Sequence, residues 1–386
     1  MKRFRILMAS AVALLMVAAV GTSVSGSGPV VTGEYVPDRV LVTFVDGTKA
    51  DAIARALTQY GLSQKGKIYG TDTLIVEGKG KGVSAMINTL SKHPGVATVE
   101  ADPIAHADWV PNDPYWSQQW GPYQVYADLA WDVTKGSTGV TIAIVDTGIN
   151  SGHPDLSGKV RTDGYNYVNN TTNANDDNGH GSHTAGTAAA KTGNGVGVAG
   201  MCPNCQLLPV KVLDSAGSGS YSAIASGIRY AADKGAKVIN LSLGGTAGTT
   251  ALSDAVNYAN GKGVLLACAA GNSNTSAASY PAYYSACVAV AAVDQNLYRA
   301  SFSNYGTWVD TSAPGVSIIS TWLGTGYNTI SGTSMATPHV AGLAGLLFSQ
   351  GRTQADVRNR LTSSNYTNAT NSSEIPRMIN AQKAVN

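Results

Sequence analysis

Apolar and polar positions follow two different regimes along this chain. Between residues 36 and 107 the pattern reads as strand (39–45), helix (49–60), strand (73–77), helix (82–92) and strand (96–100). A β-α-β-α-β unit of about 70 residues suits a small ferredoxin-like α+β domain. By size alone, it is only marginally stable. Beyond Asp108 the apolar runs stop alternating. Residues 140–145, 206–213, 237–243, 263–269 and 287–293 read as strands buried on both faces, and 221–234, 249–261 and 334–350 carry helical period. This succession predicts a three-layer α/β/α domain around a parallel sheet, with functional groups at the carboxyl ends of the strands. The Asn, Ser and Thr cluster over 363–373 reads as a surface loop before a last short helix.

Composition adds that a large core is affordable, since 44% of the 386 residues are hydrophobic and 13% charged. A formal net charge of +2 supplies no field to gather phosphate backbones, so nucleic acid is not expected as a partner. The only basic cluster is Met1-Lys2-Arg3-Phe4-Arg5, followed by an apolar stretch over 6–20 and then Gly21-Thr22-Ser23. That reads as a secretory signal over 1–25, joined by a linker over 26–35 to the small domain. The product is therefore expected outside the cell, free of the membrane after processing, and monomeric.

Export changes the reading of the four cysteines, because thiols in an oxidising compartment tend to pair. Cys202-Pro-Asn-Cys205 has neither a second C-x-x-C nor a nearby histidine pair to make it a zinc site. Cys268 and Cys287 fall on two strands that read as adjacent. Three pairings are open to four cysteines and the sequence does not choose between them; the expectation is Cys202 with Cys205 and Cys268 with Cys287.

Three segments carry chemistry. Asp146 closes the strand Thr141-Ile-Ala-Ile-Val145, His180 stands where the Gly-rich loop Asp177-Asn-Gly enters a helix, and Ser334 opens another helix in Gly332-Thr-Ser-Met-Ala-Thr-Pro338. A serine hydroxyl is a weak nucleophile at neutral pH, so it needs a base, and the base needs a third group to fix its tautomer. The order Asp, His, Ser and the lack of a G-x-S-x-G elbow disfavour an α/β-hydrolase. His183 and His339 sit on the same helices as His180 and Ser334 and read as packed residues. A zinc pair of His180 and His183 lacks H-E-x-x-H spacing.

The segments around Asp146, His180 and Ser334 resemble, in that order, the three signature blocks of the subtilisin family, and the stretch from about Asp108 to Asn386 is similar to thermitase-like members. Ser182 stands where many members have threonine. The resemblance extends to 36–107, which looks like an inhibitory propeptide. It implies a serine endopeptidase of broad specificity with catalytic Asp146, His180 and Ser334, and with Asn272 donating to the oxyanion beside the Ser334 N–H. It also implies substrate pairing along Gly217, Ser218, Gly219 and along Ser242, Leu243, Gly244, with Ala269, Ala270 and Gly271 walling the primary pocket and Ser279 near its floor. Calcium is the implied cofactor, held by Asp113, Asp155 and Asn194 with the carbonyls of Lys191, Val196 and Val198. A second, acidic calcium site of such enzymes falls on Asn166, Asn169 and Thr171, which lack carboxylates.

The propeptide is expected to be removed by self-cleavage near Ala107. That cut places Ile104 four residues before the bond, whereas a cut after His106 would place Pro103 there. Two rivals remain open at this level. One is an inactive binding protein on the same fold, which reactivity of Ser334 would exclude. The other is a metal-dependent hydrolase using His180, His183 and Asp155, which would lose activity to a chelator without loss of fold.

Overall fold

The computed structural model describes residues 35–105 and 109–386. The expected signal peptide, nearly all of the linker and the expected cut at Ala107 lie outside these residues. The chain divides into two compact units, residues 1–107 and 108–386.

The first unit runs β1 (Tyr35–Phe44), α1 (Ala50–Gln59), β2 (Ser63–Lys67), β3 (Thr73–Glu77), α2 (Val83–Leu90) and β4 (Val96–Pro103). Its sheet is antiparallel in the order β2-β3-β1-β4, which is the ferredoxin-like arrangement. Val40, Val42 and Phe44 alternate onto one face of β1 and bury against Leu57 of α1 and Met86, Ile87 and Leu90 of α2. Sequence pattern misses β2, because Ser-Gln-Lys-Gly-Lys has no apolar alternation. It is an exposed edge strand whose lysines discourage further pairing, and it forms because β3 offers it backbone partners.

The second unit runs α3 (Trp120–Gln124), α4 (Ala127–Val133), β5 (Thr141–Asp146), β6 (Tyr165–Asn166), α5 (His180–Ala189), β7 (Gln206–Lys211), α6 (Tyr221–Asp233), β8 (Val238–Leu241), α7 (Thr250–Gly261), β9 (Leu265–Ala269) and β10 (Cys287–Val293). It continues with β11 (Thr311–Pro314), β12 (Ile318–Thr321), β13 (Tyr327–Ile330), α8 (Thr333–Ser349), α9 (Gln354–Thr362), β14 (Thr367–Asn368), β15 (Met378–Ile379) and α10 (Ala381–Val385). Nine strands form one sheet in the order β14-β15-β11-β10-β9-β8-β5-β7-β6, parallel except where β14 meets β15. The five long strands expected from their apolar runs are its centre.

Alternate residues of those strands feed two separate cores, as a period of two requires. Ile142, Ile144, Val238 and Val290 join α5 and α8 on one face, while Ala143, Val145, Ile239 and Ala289 join α6 and α7 on the other. This is the three-layer α/β/α architecture. Each core holds one disulfide: Cys202 with Cys205 beside α8, and Cys268 with Cys287 across β9 and β10 at a Cα separation of 6.0 Å.

Helix α8 carries an interior proline and is buried almost all round. Pro338 lies beyond the first turn of the helix, so it removes the bond that would run to the Ser334 carbonyl. That carbonyl is taken instead by the Ser242 hydroxyl at 2.8 Å. The helix therefore tolerates the proline through a contact made by another strand's exit.

Non-reducing peptide mapping is expected to return the Cys202–Cys205 and Cys268–Cys287 pairs without free thiols; crossed pairs would overturn this. Replacing both Cys268 and Cys287 with Ala should cost about 2–4 kcal/mol in denaturant unfolding.

Candidate active site

Asp146 is the last residue of β5, paired in register with Lys211 of β7, and is completely buried. His180 opens α5, and its Nδ1 donates to Asp146 Oδ1 at 2.8 Å. The same oxygen accepts the Thr147 N–H at 2.7 Å, while Asp146 Oδ2 is buried without a partner among the described residues. Gly181 makes the approach possible, since a Cβ there would stand 2.1 Å from the Gly148 carbonyl. Burial alone would lower the His180 pKa, but the Asp146 carboxylate, by charge and by hydrogen bond, and the more distant Asp176 raise it above the ordinary value. With Nδ1 committed to the carboxylate, Nε2 is the free position on the ring.

Ser334 is the second residue of α8, where backbone N–H groups have no partner within the helix. Its N–H has no hydrogen-bond partner among the described residues, and its hydroxyl donates to the Ser242 carbonyl at 3.1 Å. The hydroxyl is thus parked on the substrate-edge segment and not on His180. Catalytic hydrogen bonds are often loose before substrate arrives. Asn272 is oriented by Thr333, whose N–H and hydroxyl both donate to Asn272 Oδ1, at 2.8 and 2.9 Å. Its Nδ2 is thereby turned outward. A Cβ placed on Gly332 would lie 3.5 Å from Asn272 Nδ2 and 3.6 Å from both the Ser334 nitrogen and Met335 Sδ, so two donors without partners among the described residues flank the same backbone position.

Two cavities meet at Leu243 and Gly244. The larger, about 510 Å³, is lined by His180, Gly217, Ser218, Gly219 and Ser242 with the apolar walls Leu213, Tyr221 and Ile224. The smaller, about 290 Å³, holds Asn272 and Ser334 with Ala269, Gly271 and Ser279, and no charged residue lines it. Gly271 adopts φ +105°, and a Cβ there would press on Asn304, the side chain that holds the loop after it. Ala270 does not join this wall: it is fully buried, with its N–H on the Val290 carbonyl. The segment 217–219 is not a strand either. The Ser218 N–H and carbonyl are both spent on a turn with Asp214, while Gly219 has no backbone partner among the described residues.

The six expected calcium residues also come together. Asp155 is fully buried, accepting from Asn194 Nδ2 at 3.0 Å and from the Val198 N–H at 2.8 Å. Asp113 Oδ2 accepts from the Gly193 N–H at 2.6 Å, whereas its Oδ1 is buried with no partner among the described residues. None of the Lys191, Val196 and Val198 carbonyls accepts a hydrogen bond from a described residue. Burial, with the neighbouring Asp113 charge, pushes the Asp155 carboxyl up to about 6. Two desolvated carboxylates, an orphaned oxygen and three open carbonyls fit a hard cation. Among the described residues, no cluster of three or more His, Cys, Asp or Glu could hold a metal. At the second expected position, Asn166 Oδ1 is spent capping Val168 and Asn169.

Sequence reasoning missed the residues that orient the others, Thr147, Asp176, Asn304 and Thr333. Thr147, Asn304 and Thr333 find their partners far along the chain, and Asp176 joins donors of its own loop and helix turn to the distant Thr147. His183 and His339 are packed as expected: His183 Nε2 donates to the Ile318 carbonyl and His339 Nδ1 to the Met335 carbonyl. Burial lowers them to about 3 and about 4.

A family profile described as the subtilase family matches residues 137–378, and one described as the fervidolysin N-terminal prodomain matches 22–102. The chain is 48% identical over 330 residues to a thermophilic serine proteinase of Bacillus sp. (strain AK1), covering 84% of this chain and 81% of that protein. It is 55% identical over 251 residues to thermitase of Thermoactinomyces vulgaris, covering 65% and 89%. Among solved structures, proteases from Pseudoalteromonas arctica align with a TM-score of 0.67 at 33% identity, over 72% of this chain and 99% of that one. A cold-adapted subtilisin-like serine proteinase aligns at 0.58 and 39% identity, over 62% and 87%.

A titration of the histidine rings by NMR should place His180 above the ordinary histidine range while His183 and His339 stay neutral down to about pH 5. A low His180 value would contradict the Asp146 contact.

Proposed function

We infer the mechanism of a chain that belongs to the subtilase family: it is a serine protease with an N-terminal prodomain. The observation that carries the inference is the buried Asp146 carboxylate on His180 Nδ1, in the same site as a serine at a helix start whose N–H is free. An extended peptide lies along Gly219 on one side and Leu243 and Gly244 on the other, adding main-chain pairing that depends little on sequence. The scissile carbonyl oxygen sits between Asn272 Nδ2 and the Ser334 N–H. His180 Nε2 takes the Ser334 proton as Oγ attacks, Asp146 stabilises the imidazolium, and the two donors hold the oxyanion. His180 then gives the proton to the leaving amine, and water releases the acyl group from Ser334 by the same route. The smaller cavity, lacking any charge, takes uncharged side chains. The larger offers apolar walls for residues further from the bond.

Asp113 and Asp155, with the amide oxygen of Asn194 and the carbonyls of Lys191, Val196 and Val198, would hold calcium, which would neutralise the two buried carboxylates. Its role is stability, since a metal that binds only the native state stabilises it by linkage. Export under the N-terminal signal, inhibition by the prodomain and self-cleavage near Ala107 complete the reading. Among the described residues, no helix is long and apolar enough to cross a membrane.

Purified Ser334→Ala precursor should fold and remain uncut. Maturation in isolation at the wild-type rate would remove Ser334 from the mechanism. Chelation of the mature enzyme should lower its thermal midpoint, by the equivalent of about 2.7 kcal/mol where metal had stood 100-fold above Kd. An unchanged midpoint in metal-depleted protein would exclude the calcium site.

A further inference from the structure

Asp176 is a buried carboxylate in the loop before α5, four residues ahead of His180, and nothing in the mechanism above uses it. Burying a charge is costly unless it is fully hydrogen-bonded. Here the compensation is complete. Oδ1 accepts from the Thr147 hydroxyl at 2.8 Å and from the N–H groups of Asn178 and Gly179 at 3.0 Å each. Oδ2 accepts from the Ser182 N–H at 2.8 Å and from its hydroxyl at 2.6 Å.

These partners belong to two different walls of the site. Thr147 follows Asp146 at the end of β5, and its hydroxyl oxygen in turn accepts the Gly181 N–H at 2.8 Å. Ser182 lies in the first turn of α5, and its oxygen accepts the Asn150 N–H at 2.8 Å. The chain of bonds runs from the residue beside Asp146, through one carboxylate, to residues on both sides of His180.

We propose that Asp176 is a positioning residue for the Asp146–His180 pair, bridging the end of β5 to the first turn of α5 and keeping a second negative charge near the imidazolium. Five accepted bonds hold Asp176 ionised: burial opposes this, but the Gly179, Ser182 and Asn178 contacts bring its pKa below the ordinary carboxylate value. That charge acts on His180 in the same direction as Asp146. The other groups around His180 do not duplicate it. His183 on α5 and His339 on α8 are neutral, Lys211 on β7 is paired with Asp177, and Asp155 lies at the far end of α5.

The two parts of the role separate experimentally. Neutralising the charge makes imidazolium less favourable, so the acid limb of kcat/KM moves to lower pH. Loosening the bridge lowers kcat at the plateau. Asp176→Asn in the mature enzyme should do both, with kcat falling about tenfold. Thr147→Val cuts a neutral arm of the bridge, and should lower kcat with the limb in place. A purely structural Asp176 would lower the thermal midpoint in Asp176→Asn and leave the limb unmoved. That result, or full kcat in Thr147→Val, overturns the proposal. If Asp176→Asn does not fold, Asp176→Glu keeps the charge while displacing the oxygens. It should lower kcat with an unmoved limb, and full kcat in it overturns the proposal. The inference rests on the triad reading, whose own failure shows separately as activity retained in Ser334→Ala.

Discussion

The last rung of the β5–β7 ladder pairs Asp146 with Lys211, and from that rung the rest of the site is measured. A parallel strand flanked on both sides cannot slip by one residue without turning every side chain to the opposite core. Ile142 and Ile144 belong to one core and Ala143 and Val145 to the other, so burial fixes the register. Asp146 is held where the strand leaves the sheet, with no solvent to weaken its charge. His180 then has one carboxylate to meet, at a distance set by the bridge through Thr147, Asp176 and Ser182.

The serine side depends on a different economy of backbone groups. Helix α8 begins at the carboxyl edge of the sheet and, among the described residues, leaves the Ser334 N–H of its first turn unpaired, which is where a developing negative charge is best placed. Pro338 frees the Ser334 carbonyl, and Ser242 occupies it while offering its own carbonyl to the Ser334 hydroxyl. The exit of β8 therefore anchors the start of α8. Asn272 is aimed by the same helix start, because Thr333 uses both its N–H and its hydroxyl to hold the amide oxygen. The proposed nucleophile and the proposed oxyanion donors thus share one support.

The two units differ in how their stability is built. The ferredoxin-like unit has a single core of about a dozen buried side chains and a lysine-bearing edge strand. The larger unit has a core on each face of its sheet, and a disulfide in each.

Continuous apolar runs in the sequence determined the central strands, because a parallel strand buried on both faces has no polar alternation to confuse it. The same runs placed Asp146 at a strand end, while glycines and the start of the helical period placed His180 and Ser334 at helix entries. The family signatures then supplied a joint reading of them, along with the roles expected of Asn272 and of the six residues expected to hold calcium. Only tertiary structure decided the rest. The polar strand β2, the inward turn of Ala270 and the fate of the Ser334 carbonyl depend on partners supplied by other segments. Asp176 shows the reason most plainly. Beside Asp177 it reads as one more acidic loop residue, and its meaning comes from Thr147, 29 positions earlier in the chain. Local pattern reports what a residue prefers; that four donors of its own loop and helix turn and one from the end of a distant strand close around this buried charge is settled only when the sheet and its helices have packed.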